Sequence, residues 1–538
     1  MQRPLHTLGL GDMPLLPQVV AMRAKRTPDK VYLRHVDGRT LTFAEADRLS
    51  HLWAGGLETL GVIREDVIAL MLPNGFDIPM AWIGSAWLGA AVSPINPAYR
   101  GNLLLHALRT SGAKLLVTTA AAFQWIPADD LATTAIETVV FVDGAPDGVV
   151  PGIAFHTRDR ILEHATVDHW PGPEPHDVAA CIFTSGTTGP SKAVRVHWAQ
   201  MFNTSSDGTL DEISAEDIYY SPLPMFHLTG LGPVYRMALA GGEVVIREIL
   251  SISEYFNEIR KFGATSAVVM ESMMQMLMKA DPTELSDLPL RKVICVPVPP
   301  YIDEFKERLG VSVATMYNMT ELSVPICSDG FNVTAADAGS CGRLRDCYEA
   351  IVADPLDYPV PDGEIGELLV RPKLPWITTT GYQSNAEASA ESWRNGWFHT
   401  GDAFRRDSAG RYFFVDRIKD AIRRRGENIS TSEVETEVIA WHQVAECAVV
   451  PHKAGETEEV KVFVVPRDEA TFDPAELIAF LIPRMTHFMI PRFVETIASL
   501  PRTPSQKIQK HILRAMGNSE RTWDREAAGI VVRAPRNT

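Results

Sequence analysis

Strand-like and helix-like stretches alternate along the first part of this chain, and that alternation limits the folds open to it. Short apolar runs at Val67 to Met71, Ala90 to Pro94 and Lys114 to Thr118 predict buried strands. Between them, Phe76 to Leu88 and Leu103 to Gly112 have the length and apolar spacing of helices. Parallel strands need crossovers of this length, usually helices. The first part of the chain is therefore predicted to be an α/β domain built on parallel sheet.

The pattern changes after about residue 340, where shorter strands and turns replace the alternation. A compact segment follows from Asp416, with a strand-like stretch at Cys447 to Val450. A chain of 538 residues is too long for one ordinary domain. We predict an N-terminal domain over 1–416 and a smaller C-terminal domain over 417–538, with a hinge near 416–419.

The composition argues against several classes of function. A formal net charge of −16 argues against nucleic acid or an anionic membrane surface as the main partner. Six cysteines are scattered without a C-x-x-C pair, which predicts free thiols in a reducing compartment. The sequence contains neither a signal-type apolar segment nor an apolar run of about 18 residues. We therefore expect a soluble cytoplasmic protein without a membrane span. The oligomeric state is left open, a dimer included.

A loop rich in hydroxyls and glycines separates two apolar runs, Ala179 to Phe183 and Ala193 to Val196. Glycines let the backbone turn its N–H groups inward, and such a concave set of donors suits phosphate oxygens. Lys192 adds a positive charge at the end of the loop. The spacing differs from that of the P-loop, and the stretch by itself is typical of a flexible surface loop. The candidate phosphate-binding residues are Thr184, Ser185, Gly186, Thr187, Thr188, Gly189 and Lys192.

Four further polar stretches follow this loop along the chain. Each alone favours a structural role; an aspartate in a Thr-Gly-Asp turn, for example, usually caps the turn. The stretches are Tyr317-Asn318-Met319-Thr320-Glu321, Trp397 to Asp402 in a turn-rich region, Asp416 to Lys419 leading into Arg423 to Ile429, and Pro501 to Ile508. Together with the loop, and in this order, they resemble the AMP-forming, adenylate-forming superfamily, especially CoA ligases of the carnitine/crotonobetaine branch. The resemblance covers nearly the whole chain.

The resemblance implies both a fold and a chemistry. The implied fold is a large N-terminal domain of layered α/β sheets with a small mobile α+β C-terminal domain, and the active site between them. The implied reaction has two steps. A carboxylic acid and Mg-ATP give an acyl-adenylate and pyrophosphate, and the thiol of coenzyme A then displaces AMP. The implied cofactors are ATP or AMP, Mg²⁺ and coenzyme A, and Lys419 is the implied hinge residue.

The resemblance also implies roles for residues of the matched stretches. Thr184 to Lys192 would hold phosphates, Thr320 would hydrogen-bond the α-phosphate, and Glu321 would bind Mg²⁺, a cation that prefers oxygen ligands. Asp402 would accept hydrogen bonds from both ribose hydroxyls, assisted by Arg417. The other implied assignments are Tyr317 against the adenine with Asn318 in the same motif, Lys507 bridging the substrate carboxylate and α-phosphate, His227 near the acyl carboxylate, and Arg425, Gly426 and Glu427 beside coenzyme A.

The sequence departs from the family pattern at four places. Ala193, Asn318, the run Val296 to Pro300 and Gln506 stand where many members have a glycine or a glycine-rich turn. Each change adds a side chain or fixes φ near the nucleotide or near Lys507. One hypothesis is that adenylation is weakened or lost, so that the protein only joins a supplied acyl-adenylate to coenzyme A. A separate adenylating enzyme would then be a partner. The complete ligase remains the leading interpretation.

A methionine-rich stretch, Val268 to Met278, bears on the acyl substrate. Its helical spacing predicts one apolar face made of Met270, Met273, Met274 and Leu277. Such a stripe more often faces the core, but methionine also adapts to ligands of irregular shape. We expect a bulky, mostly apolar carboxylic acid. The candidate acyl-pocket residues are Tyr220, Phe226, Met270 and Met274.

Two other functions remain open from the sequence. A stand-alone adenylation enzyme would load the phosphopantetheine thiol of a carrier protein in place of free coenzyme A. A non-catalytic relative would bind AMP or acyl-AMP without turnover and act as a scaffold. The thiol acceptor distinguishes the first from the ligase, and turnover distinguishes the second.

Overall fold

The computed structural model describes residues 13–532, with gaps inside that range. The gaps are 145–149, 166, 168, 185–190, 252, 271–272, 275–276, 280–284, 286, 297, 419–421, 425–426, 430, 455–456, 486 and 503–507. No helix in the described ranges combines the length and the apolar character that crossing a bilayer requires.

The described elements are numbered in chain order. The strands of the first half are β1 (Val31–His35), β2 (Thr40–Thr42), β3 (Val67–Met71), β4 (Ala91–Pro94), β5 (Leu115–Thr118), β6 (Thr138–Phe141), β7 (Ala154–Thr157), β8 (Val178–Thr184), β9 (Lys192–His197), β10 (Ile218–Ser221), β11 (Glu243–Ile246), β12 (Ser266–Met270), β13 (Lys292–Val296) and β14 (Ser312–Ala314). Those of the second half are β15 (Met316–Met319), β16 (Ser323–Cys327), β17 (Ser340–Leu344), β18 (Tyr348–Ala353), β19 (Ile365–Pro372), β20 (Phe398–Arg406), β21 (Arg411–Arg417), β22 (Ile422–Arg424), β23 (Glu427–Ile429), β24 (Val444–Ala454), β25 (Thr457–Pro466), β26 (Phe493–Thr496) and β27 (Thr522–Asp524). The helices are α1 (Leu16–Arg26), α2 (Phe43–Thr59), α3 (Asp77–Trp87), α4 (Gly101–Ser111), α5 (Ala120–Phe123), α6 (Ala128–Leu131), α7 (Arg158–Glu163), α8 (Trp198–Ser205), α9 (Leu228–Ala240), α10 (Tyr255–Phe262), α11 (Ile302–Leu309), α12 (Ala386–Ser392), α13 (Thr431–Ile439), α14 (Pro474–Leu481) and α15 (Lys510–Ala515).

The first sheet has the strand order β7-β6-β5-β3-β4-β8-β9. Its neighbours run parallel except for β8 and β9, which are antiparallel. Apolar side chains of the strands and of one face of α4 share a buried core that includes Leu104, Leu108 and Leu116. Burial of this apolar surface is the main force that holds helix to sheet. The predicted alternation of strands and helices is confirmed.

The second sheet has the order β14-β13-β12-β10-β11-β1-β2 and is parallel except at the edge strand β2. A hairpin at Asp37-Gly38 joins β1 to β2, and Gly38 takes a φ of 100° there. Thr42 and Glu45 have the spacing of a capping box and form one, in which each side chain accepts a hydrogen bond from the backbone N–H of the other residue. The capping box explains why α2 begins directly after β2.

The later strands form an antiparallel third sheet and a small C-terminal sheet. The third sheet has the order β15-β16-β17-β21-β20-β19-β18, and the C-terminal sheet has the order β24-β25-β26-β27. The C-terminal sheet shares a buried core with α13 and α14 that includes Val438, Val462 and Leu477. The strand predicted at Cys447 to Val450 lies within β24, so that prediction is confirmed.

The chain divides into two compact units. The first comprises Met1–Ala350, Leu369–His399 and Asp407–Phe413. The second comprises Ile351–Leu368, Thr400–Arg406 and Phe414–Thr538. The single domain boundary predicted after residue 416 remains a prediction.

Candidate active site

The hydroxyl-rich loop joins two antiparallel strands at the edge of the first sheet. Its first residue, Thr184, pairs with its last, Lys192, at the end of the β8–β9 ladder. Thr184 Oγ1 also donates a hydrogen bond to the carbonyl oxygen of Lys192, at 3.4 Å. The ladder therefore fixes both ends of the predicted phosphate-binding segment.

Glu321 occupies the turn between β15 and β16 in the first unit. The residue is 5% exposed, and the hydroxyl of Tyr382 donates a hydrogen bond to its Oε1 at 3.0 Å. The backbone N–H of Thr379 donates to the carbonyl oxygen of Glu321 at 2.8 Å. A buried carboxylate is costly unless it is paired or holds a metal ion. This position therefore has the chemistry of a cation ligand held in a defined orientation.

Helix α8 holds the turn that carries Glu321. Gln200 Nε2 donates a hydrogen bond to the carbonyl oxygen of Thr320 at 2.7 Å, and Ser323 Oγ donates to the carbonyl oxygen of Gln200 at 3.1 Å. Thr204 Oγ1 donates to Ser323 Oγ at 2.9 Å. Ser323 has a φ of 65°, a region that residues with a side chain rarely adopt. The hydrogen bonds from α8 keep the backbone fixed on both sides of Glu321 despite this strain.

Tyr382 connects the lysine of the hydroxyl-rich loop to Glu321, and the sequence analysis missed it. Lys192 Nζ lies 4.8 Å from the centre of the Tyr382 ring, within cation–π range. The backbone of Tyr382 pairs with Val194 of β9 as an isolated antiparallel bridge. One aromatic side chain thus contacts a cation with its ring and a buried carboxylate with its hydroxyl. The available signal was a second hydroxyl-rich stretch, Thr378 to Gly381, directly before it.

A second group of predicted residues lies in the other compact unit. Asp402 on β20 is 1% exposed, and Arg417 Nε on the neighbouring strand β21 lies 2.8 Å from its Oδ1. Gly401 has a φ of 69°, which favours glycine at this position. The backbone N–H of Asp402 donates a hydrogen bond to Thr400 Oγ1 at 3.1 Å. The structure brings the predicted pair Asp402 and Arg417 together.

The prediction of a turn-rich region around Asp402 is wrong. Phe398–Arg406 is a nine-residue strand in the middle of a sheet. Thr400 and Gly401 favour turns locally, but pairing with the neighbouring strands β19 and β21 decides the backbone here. The aspartate is therefore held by a ladder and not by a surface turn.

Some of the residues predicted to contact the acyl group lie in a loop, and others lie in the core of a sheet. His227 immediately precedes α9, and its ring centre lies 4.7 Å from that of Phe226. Asn74 Oδ1 accepts the backbone N–H two residues before His227 at 2.8 Å, which holds that loop in place. Tyr220 is fully buried, and its hydroxyl donates a hydrogen bond to Glu258 Oε2 at 2.5 Å. Tyr220 therefore contributes an apolar ring to its surroundings, because its hydroxyl is already bonded.

A narrow gap adjoins this region at the carboxyl ends of β10 and β12, where ligands of parallel sheets usually bind. The gap has no room for a water molecule in this conformation. No charged side chain lines it. The lining residues are Tyr219, Tyr220, Ser221, Pro222, Leu223, Thr229 and Val268.

The methionine-rich stretch is not one helical face, so that prediction is wrong for Met270. Met270 ends strand β12 and cannot share a helix face with the residues after it. Met273, Met274 and Leu277 are 6%, 0% and 5% exposed and belong to the core of the second sheet. Met274 Sδ lies 2.8 Å from Cys295 Sγ. The core-facing alternative accounts for these three side chains.

Several predicted site residues lie outside the described part of the chain. Glu427 and Met270 are in strands, but their side chains are not among those described. The residues wholly outside are Ser185, Gly186, Thr187, Thr188, Gly189, Lys419, Arg425, Gly426 and Lys507.

Comparison with known families now adds to this geometry. Residues 20–382 match the family model of the AMP-binding enzyme, and residues 433–507 match that of the AMP-binding enzyme C-terminal domain. The chain belongs to the AMP-binding enzyme family. The crotonobetaine/carnitine–CoA ligase of Salmonella heidelberg (strain SL476) is 31% identical over 499 residues, which cover 88% of this chain and 93% of the relative. The resemblance to CoA ligases is confirmed, and the protein is an AMP-forming acid–thiol ligase.

Solved structures agree on the fold. The o-succinylbenzoate CoA synthetase of Bacillus subtilis, solved with the acyl-adenylate OSB-AMP, has a TM-score of 0.80 at 22% identity and covers 94% of this chain and 99% of its own. ATP-bound MatB from Rhodopseudomonas palustris has a TM-score of 0.81 at 23% identity, with coverages of 93% and 99%. The predicted layered α/β sheets with a smaller C-terminal domain are confirmed.

The implied cofactors are ATP, Mg²⁺ and coenzyme A, and the described residues fit a magnesium ion. The described part of the chain contains no group of three or more His, Cys, Asp or Glu side chains that could hold a metal. Mg²⁺ does not require one, because it usually binds one or two carboxylates together with substrate phosphates and water. The buried Glu321 supplies such a carboxylate. Tyr382 contacts both this carboxylate and the ammonium group of Lys192, a cation that suits phosphate oxygens.

Proposed function

We propose that the protein is a complete acyl-CoA ligase that performs both half-reactions. The first joins a carboxylate to the α-phosphate of ATP and releases pyrophosphate. The second transfers the acyl group to the thiol of coenzyme A and releases AMP. The observation that carries this proposal is the buried Glu321 carboxylate, which Tyr382 links to Lys192. A protein that only accepted ready-made acyl-adenylates would not need this constellation for pyrophosphate release.

The side chains of the first unit divide the work of adenylation. Glu321 would hold Mg²⁺, which would screen the charge of the phosphates. Lys192 and the hydroxyls that begin at Thr184 bind the phosphates that leave, and Thr320 bonds the α-phosphate. Tyr317, which is 8% exposed on β15, offers its ring to the adenine.

Two further residue groups complete the reaction. Asp402 accepts hydrogen bonds from the ribose hydroxyls, and Arg417 pairs with that carboxylate and orients it. Lys507 neutralises the charge that develops as the carboxylate attacks the α-phosphate. The remaining assignments are Asn318 in the nucleotide motif, His227 at the acyl carboxylate, Lys419 as hinge, and Arg425, Gly426 and Glu427 beside coenzyme A.

The glycine losses do not argue strongly against adenylation. Ala193 is fully buried within the β8–β9 ladder and packs into the core of the first sheet. Asn318 lies exposed in β15, at a register shift between Tyr317 and Met319. Neither is among the described non-glycine residues with positive φ, so neither replaces a glycine whose left-handed backbone was required. This supports the complete ligase over thioesterification alone.

We propose an acyl group that is uncharged and mostly apolar. The side chains around the narrow gap beside Tyr220 carry no charge, so a carboxylate or ammonium of a substrate that widened this gap would lose its hydration there without a partner. Phe226 adds an aromatic surface on the side of His227.

The proposal is tested by assaying the two half-reactions separately. The protein is given a panel of apolar acids with Mg-ATP and coenzyme A, and in parallel the matching acyl-adenylates with coenzyme A alone. Acyl-CoA from both is expected. Acyl-CoA from the adenylates only would overturn the complete ligase and require a separate adenylating enzyme. Acylation of a carrier protein but not of coenzyme A would identify a loading enzyme, and binding without turnover a scaffold.

Tyr382→Phe is expected to lower the rate of ATP–pyrophosphate exchange by roughly 10-fold, the usual effect of losing a hydrogen bond to a charged group. It should also raise the Mg²⁺ concentration required, because the hydroxyl that orients Glu321 is removed. Tyr382→Leu is the matched control that also removes the ring from Lys192, and it should lose more. Equal rates for the wild type and Tyr382→Phe would contradict the role given to the hydroxyl.

A further inference from the structure

A partly buried polar cluster in the second unit lies at the start of α13. Asp416 Oδ2 accepts hydrogen bonds from the backbone N–H and from the hydroxyl of Thr431, at 2.7 and 2.6 Å. Lys510 Nζ donates to Thr431 Oγ1 at 2.5 Å and lies 2.9 Å from Glu435 Oε1. Glu435 Oε1 also accepts the backbone N–H of Val449 at 2.7 Å. The ammonium group of Lys510 therefore contacts both the Thr431 hydroxyl and the Glu435 carboxylate. The same hydroxyl donates a hydrogen bond to the Asp416 carboxylate.

The cluster joins parts of the chain that are far apart in sequence. Asp416 is near the end of β21, directly before Arg417, whose guanidinium pairs with Asp402. Thr431 begins α13. The first N–H groups of a helix have no acceptor within the helix, so a carboxylate such as that of Asp416 is favourable there. Lys510 begins α15. The end of β21 is thereby tied through one hydroxyl to the start of the last helix.

The chain just before Lys510 is anchored independently. Arg502 and Ile508, which flank the segment 503–507, pair as an isolated antiparallel bridge. The backbone N–H of Gln509 donates to the carbonyl oxygen of Pro501 at 2.8 Å, and Arg502 Nη2 lies 2.8 Å from a carboxylate oxygen of Glu446. The backbone on both sides of 503–507 is therefore fixed, and Lys510 connects it to the end of β21.

The charges of the cluster make Lys510 difficult to replace. Asp416 is 5% exposed. Burial raises the pKa of the Glu435 carboxyl, and Lys510 is the first group that opposes that shift. Without the lysine, two carboxylates would face each other across Thr431 with no cation between them. The helices α13 and α15 would then have to move apart or admit water.

We propose that Lys510 is a positioning residue for adenylation. By bonding Thr431 and Glu435, it holds the start of α15 at the strand end that carries Arg417. The inference rests on the proposed function, in which Lys507, three residues before Lys510 in the sequence, acts at the α-phosphate and Arg417 acts at the ribose. A displacement of about 1 Å at a reacting group can cost on the order of 100-fold in rate, so the geometry of this connection matters to the chemistry.

The test uses Lys510→Met, which keeps length and removes the charge, and Lys510→Arg, which keeps donors for both acceptors. Lys461→Met is the control, because Lys461 lies in the same unit, is more deeply buried than Lys510, and bonds a glutamate, Glu495, at 2.6 Å, far from this cluster in sequence. Lys510→Met is expected to lower ATP–pyrophosphate exchange by roughly 10- to 100-fold, with less than about a threefold change in acyl-CoA formation from supplied acyl-adenylate. Lys510→Arg should retain most of the wild-type rate of ATP–pyrophosphate exchange. Lys461→Met should leave the ratio of the two rates unchanged even where it lowers the melting temperature.

Hydrogen exchange of the full chain gives a second measurement that does not depend on turnover. Lys510→Met should speed exchange in peptides covering both 416–432 and 500–515, whereas Lys461→Met should speed exchange around 517–524. Equal losses of rate in both half-reactions of Lys510→Met would overturn the positioning role. Hydrogen exchange that is unchanged in both 416–432 and 500–515 would also overturn it. A wild-type protein that makes no acyl-adenylate from any acid would overturn the proposed function. The hydrogen-exchange result would still decide whether Lys510 connects the start of α15 to the end of β21.

Discussion

Replacing Glu321 by glutamine is expected to reduce ATP–pyrophosphate exchange by roughly 10²- to 10³-fold, the usual effect of removing one preorganised charge stabiliser from a reaction centre. The substitution keeps the size of the side chain and its position in the turn between β15 and β16. It removes the negative charge that Mg²⁺ requires, and phosphate charge then remains unscreened as pyrophosphate leaves. Acyl-CoA formation from a supplied acyl-adenylate should change much less, because no pyrophosphate leaves in that step.

Glu243→Gln is the control for this prediction. Glu243 is also buried in the first unit, and it pairs with Arg34 at 2.5 Å in the second sheet. It is expected to affect stability but not the balance between the two half-reactions. If Glu321→Gln behaves like Glu243→Gln, the assignment of Glu321 as the magnesium ligand fails.

The second large effect concerns stability. Asp207→Ala is expected to destabilise the first unit by about 3–5 kcal/mol, the usual cost of leaving one member of a buried ion pair alone. Asp207 is 0% exposed and accepts two hydrogen bonds from the guanidinium of Arg236, at 2.8 and 3.0 Å. The alanine variant would leave that guanidinium buried with its main partner removed. Thermal unfolding followed by circular dichroism measures the loss.

The same pair gives a pH dependence. Burial alone would raise the pKa of Asp207, but Arg236 and the hydroxyl of Thr209 lower it to about 2. A folded-state pKa below the unfolded value near 4 means that this carboxylate stabilises the fold at neutral pH. That contribution is lost as the pH falls from about 4 towards 2.

Two variants make the stability prediction specific. Glu349→Ala removes one partner of the exposed pair Glu349–Arg371, and it should cost no more than about 1 kcal/mol. The double variant Asp207→Leu with Arg236→Met removes both buried charges and should recover a large part of the loss. A double variant less stable than Asp207→Ala would show that the two charges do not act as a pair.

Local patterns were sufficient to predict elements whose backbone is decided by near neighbours. The capping box of Thr42 and Glu45 is complete within four residues, and the apolar run of β3 can only be a buried strand between two helices. The loop between β8 and β9 was correctly placed because both flanking runs are apolar and end at polar residues. Glu321 and Asp402 were assigned differently, through the resemblance of their stretches to family motifs, and their roles remain predictions.

Contacts between distant parts of the chain could not be predicted in this way. Tyr382 reaches Glu321 across 61 positions, and Lys510 reaches Thr431 across 79. Asp402 was assigned to a turn because its neighbours favour turns, whereas pairing within the third sheet makes it part of a strand. In each case the residue type indicated a polar role, but the sequence did not indicate the partner. The packing of whole sheets and helices decides which residues meet.

The direct passage from strand β9 into helix α8 limits how the length of this protein can vary. His197 ends the strand and Trp198 begins the helix, so no loop residue can absorb an insertion. One added residue would turn the rest of α8 by about 100° and carry the Gln200 amide away from the Thr320 carbonyl oxygen. The distance from the hydroxyl-rich loop to the turn that carries Glu321 therefore depends on the number of residues in β9 and α8. Insertions and deletions among relatives are expected on either side of this element and not within it.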